Sequence, residues 1–198
     1  PKSEQVGGEE LREGDHVKVY VVDVKETEKG PRAMISRTHP DLVKRLFETE
    51  VPEIYDGTVE IKSVSREAGS RTKLAVWSKD PNVDAVGACI GARGARVGNV
   101  VNELGGEKID IIEYSEDPAK FIAAALSPAD VLSVEVDPDG MKACQVTVPD
   151  HQLSLAIGNK GQNARLAAKL TGWKIDIKPE SGFYDPDAHK AAEAEEQE

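Results

Sequence analysis

Two glycine loops in the same sequence context constrain this chain more than any other feature: Ile90-Gly91-Ala92-Arg93-Gly94 and Ile157-Gly158-Asn159-Lys160-Gly161. Each leads into a helical stretch and then a matching strand. The strand is entered through Leu104-Gly105-Gly106-Glu107-Lys108-Ile109-Asp110-Ile111 in one copy and Leu170-Thr171-Gly172-Trp173-Lys174-Ile175-Asp176-Ile177 in the other. Two glycines three apart arise by chance about once or twice in a chain of this composition. The shared context is what carries the signal: isoleucine before the first glycine, a cation before the second, and Lys-Ile-Asp-Ile at nearly equal distance. The chain therefore contains an internal duplication with a period of about sixty-six residues. Units of that size lie near the lower limit for a self-sufficient core, so the spacing predicts small domains.

A coarse reading gives each copy the order α-β-β-α-α-β. In the first, a helix starts at His39 with Leu42, Val43, Leu46 and Phe47 on one face and Pro40 near its start. Strands follow over Thr58 to Ser65 and Thr72 to Ser78, then a helix from Pro81 to Ile90, the loop, a helix through Val97 to Leu104, and a strand over Lys108 to Glu113. In the second, Asp117-Pro118 opens a helix through Leu126. Val131 to Val136 and Lys142 to Val148 form the strand pair, and Asp150 is expected to cap a helix over Gln152 to Ile157. Gln162 to Leu170 is helical and Trp173 to Lys178 is the last strand.

Helix, GxxG loop, helix and strand form the heart of a KH domain, which clamps about four nucleotides of single-stranded nucleic acid. Gly91, Gly94, Gly158 and Gly161 let a phosphate approach backbone N–H groups where no Cβ blocks it. The helix after each loop points its free N–H groups and positive dipole end at the same place. Arg93, Arg96, Lys160 and Arg165 add charge beside the backbone, with Ala92 and Asn159 filling out the loops. Gln162, Arg165 and Lys169 make a polar stripe on the second post-loop helix, against Arg96, Asn99 and Glu103 in the first copy. Ile90 and Ile157 are expected to floor a base-binding groove while also serving the core, with Lys108 and Lys174 at the starts of the final strands. Trp77 and Trp173 read as core anchors rather than base-stacking platforms.

The net charge of −11 opposes nucleic-acid binding only if it is evenly spread. From Pro179 onward, seven acidic residues stand against the single Lys190, so the tail carries much of the excess. This tail reads as disordered, and as a hypothesis it competes with RNA for the basic grooves. In the body, Arg66, Arg71, Lys73 and Lys79 join the loop cations, which predicts modest, salt-sensitive phosphate binding. No apolar run approaches a membrane span, no signal peptide is visible, and two cysteines without ligand spacing suit a reducing cytoplasm. No phosphate-loop, dinucleotide or nucleophile signature occurs, so no enzyme, cofactor or metal is expected. Ahead of the duplication, His16 to Lys25 and Arg32 to Arg37 read as two strands around a Lys29-Gly30-Pro31 turn. Two strands cannot close a core, and they are read as the end of a β-barrel whose earlier strands are missing.

Several runs match one family closely. Ser36-Arg37-Thr38-His39-Pro40-Asp41-Leu42-Val43, Glu50-Val51-Pro52-Glu53-Ile54, Gly87-Ala88-Cys89-Ile90-Gly91, and Leu153-Ser154-Leu155-Ala156-Ile157-Gly158 through Gly161-Gln162-Asn163-Ala164-Arg165-Leu166-Ala167 resemble the bacterial NusA family of transcription elongation and termination factors. The resemblance implies an α+β chain: a partial S1 (OB-type) β-barrel segment over 1–38, then tandem type II KH domains over 39–115 and 116–180, with the acidic tail at 181–198. It implies a monomer in the cytoplasm that binds single-stranded RNA (nascent transcript, ribosomal RNA leader), with the grip on Gly91 to Gly94 and Arg96, and on Gly158 to Gly161 with Gln162, Asn163 and Arg165. It also implies action with RNA polymerase and other Nus factors on pausing, termination and antitermination. An exoribonuclease RNA-binding module and a KH-based protein scaffold are the alternatives.

Overall fold

In the computed structural model, which describes residues 1–182, two α+β units follow a two-stranded hairpin. The acidic tail expected at 181–198 lies, past residue 182, outside the described residues. The hairpin pairs β1 (Tyr20–Thr27) with β2 (Gly30–Ser36) across Glu28-Lys29. Its apolar side chains are largely bare: Val21, Val22, Val24, Met34 and Ile35 are all exposed. What anchors it to the rest is polar and specific. Buried Arg37 donates to Glu9, to the Lys18 carbonyl at 2.7 Å and to the Glu103 carbonyl at 2.9 Å, and Tyr20 stacks on His39 at 4.5 Å.

The first unit begins with α1 (Pro40–Glu50), where Pro40 presets the first turn and His39 Nδ1 accepts from the Asp41 N–H. A short α2 (Pro52–Tyr55) leads into β3 (Val59–Glu67) and β4 (Arg71–Ser78). Then come α3 (Ala85–Ile90), α4 (Ala95–Glu103) and β5 (Lys108–Glu113). β3 pairs antiparallel and β5 parallel with the central β4. The helix expected from Pro81 starts only at Ala85, because Asp80 turns its side chain onto the Asn82 N–H and its carbonyl onto the Val83 N–H, closing a turn instead.

The second unit repeats the order. α5 (Pro118–Ala125) is capped by Asp117, and β6 (Ser133–Val136), β7 (Ala143–Val148), α6 (Leu153–Ile157), α7 (Gln162–Thr171) and β8 (Lys174–Pro179) follow. Its sheet has the same pattern, β6-β7-β8 with one antiparallel and one parallel pair. Asp150 does not cap α6 as expected. A 3₁₀ turn intervenes, and its carboxylate accepts from the Ser181 N–H at 3.0 Å.

The two units share a wall. On β4, Leu74 and Val76 enter the first core with Leu42, Phe47 and Val100, while Ala75, with Ile112 of the neighbouring β5, enters the second with Ile122, Val146 and Leu170. A strand covered on both faces is a continuous buried run, and Thr72 through Val76 are all buried. Lys73, on that strand, is fully buried and donates to Asp110 at 2.9 Å and to the Ser127 carbonyl of the second unit at 2.7 Å. Burial lowers its pKa, with Asp110 opposing the shift. α7 crosses the β3–β4 hairpin, where Ser63 Oγ donates to the Leu170 carbonyl. The units are therefore docked through a common core rather than strung on a linker.

Candidate nucleic-acid interface

The two loops have the same backbone within a few degrees. Gly91 and Gly158 have φ/ψ of 76°/173° and 78°/171°. Arg93 and Lys160 have 55°/29° and 52°/29°, and Gly94 and Gly161 have 72°/17° and 74°/15°. Among the described residues, Arg93 and Lys160 are the two non-glycine residues in the left-handed region. Such a conformation costs about 1–2 kcal/mol. Each strained residue is an exposed cation at the loop tip.

The glycines divide the work differently from the expectation that all four open space for a phosphate. A Cβ at Gly158 would lie 2.7 Å from the Asn163 backbone nitrogen, and one at Gly91 would lie 2.6 Å from Arg96 Cγ. The first glycine of each loop is thus required by packing inside the turn. At Gly94 a Cβ meets nothing within 4 Å, and at Gly161 only Arg165 Nη1 at 4.0 Å. The second glycines face open space and are required by φ alone. The glycine N–H groups are also committed internally, Gly91 to Gly87, Gly94 to Gly91, Gly158 to Ser154 and Gly161 to Gly158. Neither α4 nor α7 has a side-chain cap at its N-terminus.

Bracing residues sit five positions after the first glycine. Arg96 Nη1 donates to the Ala88 carbonyl at 2.7 Å and to Glu53 at 2.8 Å. Asn163, only 2% exposed, donates from Nδ2 to the Leu126 and Ala156 carbonyls at 3.1 and 2.9 Å. Both were candidates for RNA contact, and both are held inside their own domain. Loop-to-loop equivalence also moves the first-copy counterpart of the Gln162, Arg165, Lys169 stripe to Ala95, Gly98 and Asn102, one residue off the expected register, because the helix-to-strand joint is one residue shorter in the second copy.

That stripe serves the domain interface as well as solvent. Gln162 Nε2 donates to Ser70 Oγ at 2.7 Å, and Arg165 pairs with Glu67 and donates to the Lys160 carbonyl at 3.0 Å. Lys169 and Lys174 are exposed. Lys108 is exposed too, but tertiary structure brings it to the second loop. With Ser70, Arg71, Pro128, Leu155, Gly158, Asn159, Gln162 and Asn163 it lines an interdomain cleft of about 420 Å³. Ser70 had no local signal and entered only through the β3–β4 turn.

Other expected surface cations are neutralised. Arg66 and Glu107 form a buried pair, and Glu107 also accepts from Thr72 Oγ1 and the Gly69 N–H. Arg71 pairs with Asp110, and Lys79 with Glu60. Ile90 is 38% exposed beside its loop, whereas Ile157 packs on the second core. Trp77 departs from the core reading. It is 38% exposed, with Lys62 Nζ 4.8 Å from its ring centroid, while Trp173 does pack on the second core. Both thiols are buried, and desolvation pushes Cys89 up to about 12.

With this geometry in view, comparison with known proteins is decisive. The NusA-like first KH domain matches residues 37–114, and the NusA-like second KH domain matches 118–184. The chain belongs to the NusA family. It is 63% identical over 181 residues to the "Transcription termination/antitermination protein NusA" of Halalkalibacterium halodurans, covering 91% of this chain and 47% of that protein. It is 61% identical over 181 residues to the protein of that name from Bacillus subtilis, covering 91% and 48%. The chain thus spans about half the length of the curated relatives it matches. The solved "Crystal structure of APE1850" aligns at 24% identity with a TM-score of 0.50, covering 69% of this chain and 95% of that one, a likeness of fold. No helix among the described residues is long and apolar enough to cross a membrane.

Proposed function

We propose that this chain is the RNA-gripping part of a NusA-type transcription factor, binding single-stranded RNA through its two GxxG loops. The observation that carries the reading is the repeated loop conformation, in which left-handed backbone lifts a cation, Arg93 or Lys160, at each tip. The grip falls on Gly91 to Gly94 with Ile90 and Lys108, and on Gly158 to Gly161 with Gln162, Lys169 and Lys174. Arg96, Asn163 and Arg165 act mainly by holding these loops in place. In the whole protein, this grip on a nascent transcript such as a ribosomal RNA leader would modulate pausing, termination and antitermination with RNA polymerase and other Nus factors. That action is cytoplasmic and uses one copy of the chain.

The α-β-β-α-α-β order with one parallel strand pair supports type II KH domains over 39–115 and 116–180. The bare apolar hairpin supports an S1 barrel segment over 1–38, since exposed apolar surface of this extent calls for more strands. An exoribonuclease module is the weaker reading, because the relatives carry the names of transcription proteins.

The test is a salt-series titration of a short unstructured RNA against the chain and its Gly94→Asp and Gly161→Asp variants. These second glycines are the right sites because a side chain there meets open space, and aspartate is among the residues that best tolerate a left-handed backbone, at a cost of about 1–2 kcal/mol, so each variant is checked for folding by circular dichroism. Loss of most affinity in a folded variant supports a phosphate clamp at that loop. Wild-type affinity in both overturns the RNA reading in favour of a protein scaffold.

A further inference from the structure

The first domain reaches the support of the second glycine loop through one buried cation. Lys73 is 0% exposed and extends from the face of β4 that sends Ala75 into the second core, opposite Asp110 in the parallel register with β5. Its ammonium donates to Asp110 Oδ2 at 2.9 Å and to the Ser127 carbonyl at 2.7 Å. Ser127 sits in the joint between α5 and β6, directly after Leu126. The Leu126 carbonyl accepts from Asn163 Nδ2 at 3.1 Å, and the same amide nitrogen donates to the Ala156 carbonyl just before the loop. Gly158 packs so closely on Asn163 that an added Cβ would lie 2.7 Å from its backbone nitrogen. A continuous path of contacts therefore runs from Lys73 through the α5–β6 joint to the second loop.

Burying an ammonium is costly, and an apolar side chain of similar volume would fill the same space without that cost. What the lysine adds is direction. Apolar contacts such as those of Ala75 and Ile112 hold the domains together without fixing their register, whereas N–H donors aimed at one carbonyl do fix it. The matching position of the second sheet is Gln145, half-buried and opposite the exposed Asp176. Arg71 completes the arrangement in the first sheet, holding both Asp110 oxygens at 2.8 and 3.0 Å from the rim of the interdomain cleft. We infer that Lys73 is a positioning residue for RNA binding: it fixes the second glycine loop relative to the first, so that one strand engages both loops as a unit. The inference rests on the RNA-binding reading above. Each loop takes its shape from its glycines and its own brace, Arg96 or Asn163, so removing the ammonium leaves each loop able to bind and costs only their alignment. Aligned sites make the second contact intramolecular, and that gain depends on geometry rather than on the strength of either contact.

The experiment titrates alternating adenylate–cytidylate oligomers of two lengths at one salt concentration. Five nucleotides suffice for one loop, at about four nucleotides each, and fifteen allow both to be filled. The wild-type chain is compared with Lys73→Met and with Gln145→Met, the matching change in the second sheet, each checked for folding by circular dichroism. The wild type is expected to bind the longer RNA about a hundredfold more tightly than the shorter. Lys73→Met should keep wild-type affinity for the shorter RNA and bind the longer about tenfold more weakly, while Gln145→Met should leave both unchanged. Should Lys73→Met fail to fold, Lys73→Gln, which puts the second copy's residue into the first, is read by the same comparison. An equal loss at both lengths is what a merely structural role produces, by lowering the folded fraction, and it overturns the positioning role, as does an undiminished preference for the longer RNA. A wild type that gains nothing from the longer RNA overturns the inference while leaving RNA binding standing. Absence of any RNA binding overturns the functional reading and this inference with it.

Discussion

The two KH copies hold their loops in the same conformation and brace them with different chemistry. Five residues after the first glycine, the first copy uses an arginine that reaches Ala88 and Glu53, and the second a buried asparagine that reaches Leu126 and Ala156. At the entry to the last strand, the first copy buries Glu107 between Arg66, Thr72 and Gly69, where the second places Trp173 against an apolar core. In the middle of that strand, Asp110 receives Arg71 and Lys73, while its counterpart Asp176 is exposed. The comparison teaches that glycines at fixed positive φ set loop shape, whereas the support beneath is interchangeable, a charged network in the first copy and a buried amide beside an apolar core in the second.

The largest effect should come from breaking the charged support. Arg66→Met leaves Glu107 buried without its cation and should cost about 3–5 kcal/mol, read by denaturant unfolding. Trp173→Phe, at the matching place in the second copy, should cost less than about 1.5 kcal/mol. Equal losses would erase the distinction between the two strand entries.

Next is the difference between the first glycines. Gly158→Ala drives a Cβ into the Asn163 backbone at positive φ and should cost about 3 kcal/mol, whereas at Gly91 the obstacle is the flexible Arg96 side chain and the loss should be about 1–2 kcal/mol. Thermal unfolding of the two variants ranks them, and a reversed order would show that Arg96 is the stiffer brace.

A smaller contrast lies in the thiols. The folded-state pKa of Cys89 is raised to about 12 by burial, from an ordinary value of 9.0. Below about pH 9 the thiol is neutral folded and unfolded and stability is unaffected. Above it, the unfolded thiol ionises first, so stability falls as pH rises toward 12. Cys89→Ala should flatten that decline in an unfolding series from pH 8 to 11, and Cys144→Ala should flatten it less, since Cys144 shifts the same way but less far.

The smallest effect concerns Arg165, tied to Glu67 at a partly exposed site where such pairs contribute little to stability. Glu67→Gln should leave stability within about 0.5 kcal/mol and raise low-salt RNA affinity about twofold by releasing the arginine. Unchanged affinity would confine Arg165 to the interface.

The duplication, the loop positions, the order of elements and the helix starts at Pro40 and Pro118 were legible because each depends on residues within a few positions of one another. A positive φ calls for glycine, a first-turn proline presets its helix, and period-2 or 3.6 patterns report a buried face. The Asp80 turn was missed because a side chain competed with the helix for the backbone, and the Trp77 exposure because a strand's apolar face does not say what covers it.

The sequence by itself determined two loops of one shape and the family that uses them. Only the tertiary structure decided which cations remain for a ligand: Arg66 meets Glu107, Arg71 and Lys73 meet Asp110, and Arg165 meets Glu67, across separations of 37 to 98 residues. It also decided that Lys108, which belongs to the first copy by sequence, borders the cleft of the second. Charge counts in sequence, but pairing and burial act through space, and a cation's availability is set by the carboxylate that folding brings beside it.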